Sequence, residues 1–395
     1  MAKGQREVAA GLQISASIAQ ITWYTTSEKE PVTCGPGNGE QPELVPLPET
    51  VSGLLFGEKN ALEDTSMAVQ HVADFLSQML SMIPSHPTMA AIRLMVTLPQ
   101  LTPYAQELIP EAACSLGIER KNVYLQDFLS SFYYYTVNQK KELWSSDVAL
   151  LEYMDNSMVG YVLHIDHSKK PALVTVKEAA RMEVDESLRE GRTAQQWDQE
   201  RDRLLFELLK KVFERRNVGT SFLVGDYYDG NWASRSFQYL CHHRHAFRGA
   251  NLYTKGACYA AMSRSGMNRM PELLFLGADM IRENLGIMMR VHGKETFYTL
   301  VSAGINWYEA HHECEFIPDQ ETTIPLVTKP MDGGEEVIHL LRLKHFPNRP
   351  NRATRLRMSV YFTSADCCVV EVEDRGFGGF YPSEGRTWKR TIRFY

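Results

Sequence analysis

The order hairpin, strand, helix, strand, helix occurs twice in succession in this sequence, which restricts the region to an α/β fold built from two like halves. In the first copy Glu7 to Ile14 and Ile18 to Thr25 are β-rich runs joined by the small-residue turn Ser15-Ala16-Ser17. Residues 34–50 carry three Gly and four Pro and read as a loop. Thr65 to Ile83 places Ala68, Val72, Phe75, Leu76, Met79 and Leu80 at helical spacing, and Pro84 ends that helix. Ile92 to Leu98 reads as a strand, Pro103 to Leu116 as a helix, Val123 to Leu125 as a strand, and a further helix starts near Asp127.

The second copy begins with Asp147 to Met154 and Val159 to Ile165 around Asp155-Asn156-Ser157, with Ala172 to Val176 as a third strand. Thr193 to Gln196 supplies a capping box, because the Thr hydroxyl and the Gln amide can satisfy each other's free backbone N–H groups. The helix it starts carries Trp197, Leu204, Leu205, Leu208, Leu209, Val212 and Phe213 on one side. Lys210, Lys211, Arg215 and Arg216 stand near its negative end. Thr220 to Gly225 is the next strand. The fold class expected is therefore a duplicated α/β domain over residues 1–268, with halves of about 1–142 and 143–268 and a nucleotide cleft between them. From residue 269 the pattern changes to alternating runs such as Gly286 to His292, Thr296 to Ala303, Val337 to Leu343, Leu356 to Thr363 and Cys367 to Val372, which predicts an all-β sandwich over 269–395.

Composition narrows the partners. A formal charge of -6 across 395 residues argues against a nucleic-acid polyanion as the main partner. No run approaches the roughly 20 apolar residues of a membrane helix, and the first residues lack a signal-peptide core, so a cytoplasmic location without membrane insertion is expected. The seven cysteines are odd in number and scattered, which predicts reduced thiols rather than a disulfide framework. The segments Cys241 to His245 and His311 to Cys314 hold zinc-ligand types at no standard zinc spacing and read as solvated histidines, so no metal ligand is assigned.

Several segments together resemble the DnaK-type heat-shock chaperones of the actin-like ATPase superfamily, in a divergent bacterial branch. Val96-Thr97-Leu98-Pro99, Ala105-Gln106, Ala112-Ala113 and Leu116-Gly117-Ile118 are similar to one passage of that family in order and spacing. Leu223-Val224-Gly225-Asp226 and Asn251 to Ala261 with Gly256 resemble its adenosine motif and the helix start that follows. Leu273 to Gly277 sits where that family has its apolar linker, and Glu321-Thr322-Thr323-Ile324-Pro325 resembles a turn of its substrate domain. Gly304 to Tyr308 and Arg349 to Arg355 also look like motifs of the branch.

The resemblance implies an actin-like, ribonuclease H-like nucleotide domain binding ATP or ADP with magnesium, followed by a protein-binding sandwich. It aligns Gly11-Leu12-Gln13-Ile14-Ser15-Ala16-Ser17 with the first phosphate loop, and Gln13 stands where the family has the Asp that organises the magnesium water shell. Ser15 and Ser17 keep hydroxyls without the glycine that admits a close phosphate. The second phosphate loop falls on Glu152 to Ser157, again without glycine, and Asp155 would repel phosphate there. The catalytic carboxylate corresponds to Asp127, which as a helix N-cap also has a structural explanation, and the early-loop lysine to Lys59. Gly225, Asp226 and Gly256 are the adenosine-side candidates, with Gly230 beside them. The expected function is a scaffold or client-binding module with weak or no ATP hydrolysis, its protein client held by a sandwich without a helical lid. The rival expectation is an active chaperone in which Ser15, Ser17, Asp127, Glu152 and Asp155 rebuild a magnesium site.

Overall fold

The computed structural model describes residues 7–35, 44–57, 65–154, 156–291, 294–319, 322–331 and 334–394. Lys59, Asp155 and Glu321 lie outside the described residues. The chain divides into two compact units, Met1–Leu273 and Leu274–Tyr395.

In the first unit β1 (Val8–Ile14) and β2 (Ile18–Tyr24) pair antiparallel, and the short strands β3 (Val32–Thr33) and β4 (Val45–Pro46) both add to β2. Helices α1 (Glu49–Phe56) and α2 (Thr65–Ser81) precede β5 (Ile92–Leu98), which lies parallel to β1. After α3 (Pro103–Ser115), β6 (Val123–Asp127) lies parallel to β5 and leads directly into α4 (Phe128–Val137). The second half repeats this with β7 (Asp147–Met154), β8 (Ser157–Asp166), β9 (Ala172–Glu183), α5 (Ala194–Phe213), β10 (Val218–Val224), α6 (Ser234–Cys241), β11 (His245–Arg248) and α7 (Leu252–Arg264).

The two sheets have the same order and polarity. One contains the run β3-β2-β1-β5-β6 and the other the run β9-β8-β7-β10-β11. In each, the first three strands of the half pair antiparallel, β5 and β10 lie parallel to β1 and β7, and β6 and β11 lie parallel to β5 and β10. The central strand β1 is buried along its whole length, as a strand covered on both faces must be, which explains the apolar run from Val8 to Leu12.

Local signals account for several boundaries. Thr102 accepts from the Ala105 N–H at 3.2 Å and Pro103 occupies the first turn of α3. The capping box of Thr193 and Gln196 is formed at the start of α5. The loop expected over residues 34–50 contains β4 and ends in the first residues of α1, whose Val51, Leu54 and Leu55 are buried. With only eight residues, α1 is too short for the periodicity that identified α2 and α5.

The halves of the first unit are joined by an exchange of helices. α7 packs on β1, β2 and β5 of the first half as well as on α4, while Phe132 and Tyr135 of α4 meet Phe222 of β10 edge to face at 6.3 and 5.4 Å. α7 gets close to the sheet because its inner face is small: Ala257, Cys258, Ala260 and Ala261 cluster with Ala9 and Met95. The Thr254 hydroxyl donates to the carbonyls of Gly11 (3.0 Å) and Gln20 (3.2 Å), tying helix to strand.

The second unit begins within β12 (Leu273–Leu276), a strand where an apolar linker was expected. It comprises β13 (Glu283–Val291), β14 (Lys294–Val301), β15 (His311–Phe316), β16 (Thr323–Pro330), β17 (Val337–Arg342), β18 (Leu356–Ser364), β19 (Cys367–Asp374) and β20 (Thr387–Arg393). They form two four-stranded antiparallel sheets, β14-β13-β16-β17 and β15-β18-β19-β20. Leu285, Leu326 and Leu341 from one sheet and Met358, Val360, Val370 and Trp388 from the other share a single core, the arrangement of a β-sandwich. Among the described residues no helix is long and apolar enough to cross a membrane.

Candidate functional site

In open sheets with parallel strands, ligands are taken at the carboxyl ends of those strands. The registers pair Gln13 with Thr97, Leu98 with Asp127 and Glu152 with Val224, so these residues stand at the carboxyl edges of the two sheets. Gly225 follows immediately at the end of β10.

The floor of the first edge is a closed polar network. The Gln126 amide donates to Ser131 Oγ at 2.6 Å, Ser131 Oγ donates to Thr97 Oγ1 at 2.8 Å, and Thr97 donates to the Asp127 carbonyl at 3.1 Å. Asp127 is buried and caps α4, its Oδ1 accepting from the Ser130 N–H at 2.7 Å. Burial pushes its pKa up, against the pull of that cap.

The first hairpin turn is occupied by its own groups. Ser15 Oγ donates to the Ile18 carbonyl at 3.0 Å and accepts from the Ile18 N–H at 3.3 Å. Ser52 of α1 donates to the Ala16 carbonyl at 2.7 Å, and Leu47 N–H donates to the carbonyl of the exposed Ser17 at 2.9 Å. Gln13 is buried opposite Gln20, whose two side-chain amide atoms have no hydrogen-bond partner among the described residues. In the second hairpin Ser157 opens β8, and the neighbouring Asn156 carbonyl accepts from the Val184 N–H at 2.7 Å.

Glu152 is the most perturbed acid of the second edge. Burial pushes it up to about 7, with Arg181 pulling it down and Glu178 adding to the rise. The Tyr253 hydroxyl donates to its Oε1, and the Tyr253 ring stacks on Phe128 at 4.1 Å. Thus Asp127, at the cap before Phe128, and Glu152 are connected through one aromatic stack and one hydrogen bond.

The sign of the Glu152 effect follows from its folded pKa lying above the ordinary value of 4.5. The folded state then binds more protons than the unfolded chain, so stability falls as pH rises through the window from about 4.5 to 7 and stays reduced above it. Glu152→Gln keeps an acceptor for Tyr253 and removes the charge. We expect a gain of about 2–3 kcal/mol at pH 8, shrinking toward zero below about pH 5, by urea unfolding. An equal effect at both pH values would contradict the assignment.

Of the glycines expected on the adenosine side, Gly225 and Gly256 lie close against neighbouring backbone. Gly256 lies inside α7 rather than at a turn, and a Cβ there would stand 2.0 Å from the Ser131 carbonyl oxygen of α4. Gly11 lies mid-strand, where a Cβ would meet the Cys258 nitrogen at 2.2 Å. Gly225 has φ +122° and a Cβ there would be 2.0 Å from the Tyr153 carbonyl oxygen, so β10 turns away directly over β7. Gly230 also has a positive φ, of +89°. Asp226 starts the short helical turn after Gly225.

The structure therefore brings Gln13, Asp127, Glu152 and Gly225 to the carboxyl edges, and leaves Gly11 and Gly256 in the interior that joins the halves. Sequence reasoning missed Tyr253, because no local pattern marks a tyrosine whose acceptor is 101 residues away. Among the described residues no group of three His, Cys, Asp or Glu side chains is placed to hold a metal ion.

Residues 45–278 match the family described as Family of unknown function (DUF5716) C-terminal, and residues 280–394 match the Domain of unknown function (DUF8552). The first match starts after the β1–β2 hairpin. No curated protein matches the chain.

Proposed function

The chain belongs to the DUF5716 family, and we propose that it is an actin-like protein of the DnaK type whose nucleotide fold serves as a non-hydrolysing scaffold. The recurrence of β3-β2-β1-β5-β6 as β9-β8-β7-β10-β11 supports this reading, since each half ends its parallel strands at an edge of the kind that takes ligands. ATP or ADP with magnesium is the ligand this reading assigns to those edges, with occupancy regulating the scaffold. Hydrolysis is not part of it. The Ser15 hydroxyl is held by its own turn, and Glu152 titrates near neutrality and is bonded to Tyr253, so neither is free to organise magnesium.

The sandwich unit supplies the protein contact in this proposal. Its strand β17 ends its sheet among the described residues and exposes Val337, Ile338 and Leu340, at 49, 63 and 44%, an edge to which an extended apolar segment of a client can add.

Calorimetric titration with ATP and magnesium, with ADP and GTP as comparisons, followed by a phosphate-release assay, tests the nucleotide half of the proposal. Saturable binding without phosphate release is the expected result. Turnover by the parent that disappears in folded Asp127→Ala would replace the scaffold with an ATPase, and absence of all binding would remove the nucleotide from the reading.

A further inference from the structure

A pocket of about 500 Å³ lies between the start of α5 and the turn after β10, lined by Arg189, Arg192, Thr193, Trp197, Arg201 and Tyr227 among others. Its size is that of a small-molecule site, for which roughly 300–1,000 Å³ is usual. None of Gln13, Ser15, Asp127 or Glu152 lines it. Both walls belong to one half of the first unit, so the pocket stands whether or not the nucleotide-fold reading holds.

Its charge is the informative feature. Arg201 is bonded to Asp198, which also lines the pocket, and these two charges cancel. Arg189 and Arg192 are exposed and form no ion pair among the described residues, although Arg192 lies near enough to Glu200 to lower its pKa, so the lining itself carries three arginines against one aspartate. The positive end of α5, a helix of 20 residues, adds to the same field. An anion in the pocket would be attracted by both exposed arginines at once.

Arg201 is also held in place. Its guanidinium sits over Trp232 at 4.5 Å and over Trp197 at 6.0 Å, and its Nε is buried without a hydrogen-bond partner. That Nε is closed to a ligand, but a guanidinium already ordered loses little rotamer entropy when its outer nitrogens meet an oxygen acceptor. Tyr227 provides the apolar wall. Its ring stacks on Tyr153 at 4.8 Å and remains 40% exposed, which leaves ring surface open to the pocket it lines.

We propose that this pocket binds a small phosphomonoester, its dianionic phosphate held by Arg189, Arg192 and Arg201 and an attached planar ring lying against Tyr227. A phosphate monoester carries nearly two negative charges at neutral pH, matching the two unpaired arginines.

Titration of the full chain with adenosine 5′-monophosphate, inorganic phosphate and adenosine, read by calorimetry and by the fluorescence of Trp197, tests the proposal. The expected order is the monophosphate tightest, inorganic phosphate weaker and adenosine weakest. The double substitution Arg189→Ala and Arg192→Ala removes two exposed side chains, and is expected to weaken the monophosphate by about a hundredfold. Tyr227→Ala is expected to weaken the monophosphate about tenfold and leave inorganic phosphate unchanged. The proposal is overturned if the parent binds neither phosphate ligand at millimolar concentration, if the double variant binds as the parent does, or if adenosine binds as tightly as its monophosphate. Loss of binding in Glu152→Gln but not in the arginine variant would move the ligand to the sheet edges and overturn it as well.

Discussion

Asp374→Ala is expected to destabilise the sandwich unit by about 3–5 kcal/mol, the cost of leaving a buried charge without its partner. Asp374 is fully buried at the end of β19, and the Arg349 side chain is only 6% exposed. The two form a fork: Arg349 Nη1 and Nη2 donate to Oδ1 and Oδ2, each at 2.8 Å. The N–H groups of Gly376 and Glu384 each add a hydrogen bond of 2.9 Å to the same carboxylate, and Arg349 also donates to the Pro382 carbonyl at 2.8 Å. One carboxylate therefore organises the loops on both sides of it. Burial pushes the Asp374 carboxyl up, but Arg349 and the two backbone donors outweigh it and hold it at about 2. A pKa below the ordinary 3.8 means the contribution is present above that value and is lost as pH falls from about 4 toward 2. Urea unfolding followed by Trp388 fluorescence at neutral pH measures the loss. A loss under about 1 kcal/mol would show that the loops are held by something other than this pair.

Gly256→Val is expected to cost at least about 3 kcal/mol, at the upper end for an overpacked interior, or to prevent the first unit from folding. The obstacle at 2.0 Å is the Ser131 carbonyl, a backbone atom of α4 that has no rotamer to escape into. Relief requires α4 and α7 to separate, which would also disturb the Phe128 and Tyr253 stack and the hydrogen bond to Glu152. The control is Gly53→Ala in α1, where an added Cβ meets nothing within 4 Å. There the gain in helix propensity is expected to stabilise the protein by about 0.5–1 kcal/mol. Thermal and urea unfolding of the two variants should move in opposite directions. Similar small losses in both would mean that the approach of α4 to α7 is not tight.

Those two sites mark the boundary of what local pattern conveys. The helix α5 was legible because its apolar period and its Thr193 to Gln196 box act over a few residues. The strands β1, β2, β5, β7 and β10 were legible for a similar reason, as short apolar runs between turn residues. Asp127 was legible as an N-cap from its place between a strand and a helix. By contrast, α1 and the pairing of Arg349 with Asp374 were not, the first for want of length and the second because 25 residues separate the partners.

The candidate site divides in the same way. The sequence alone determined the longer helices and strands, the recurrence of their order and the residue types at Gln13, Ser15, Asp127 and Glu152, since each depends on neighbours along the chain. Only the tertiary structure decided that Gly256 serves α4, that Tyr253 reaches Glu152, and that Arg189, Arg192 and Arg201 share a pocket with Tyr227. The physical reason is that burial, desolvation and charge proximity act through space. A carboxyl moved from 4.5 to about 7 reports what surrounds it in the folded chain, and residues adjacent in sequence make up little of that surrounding.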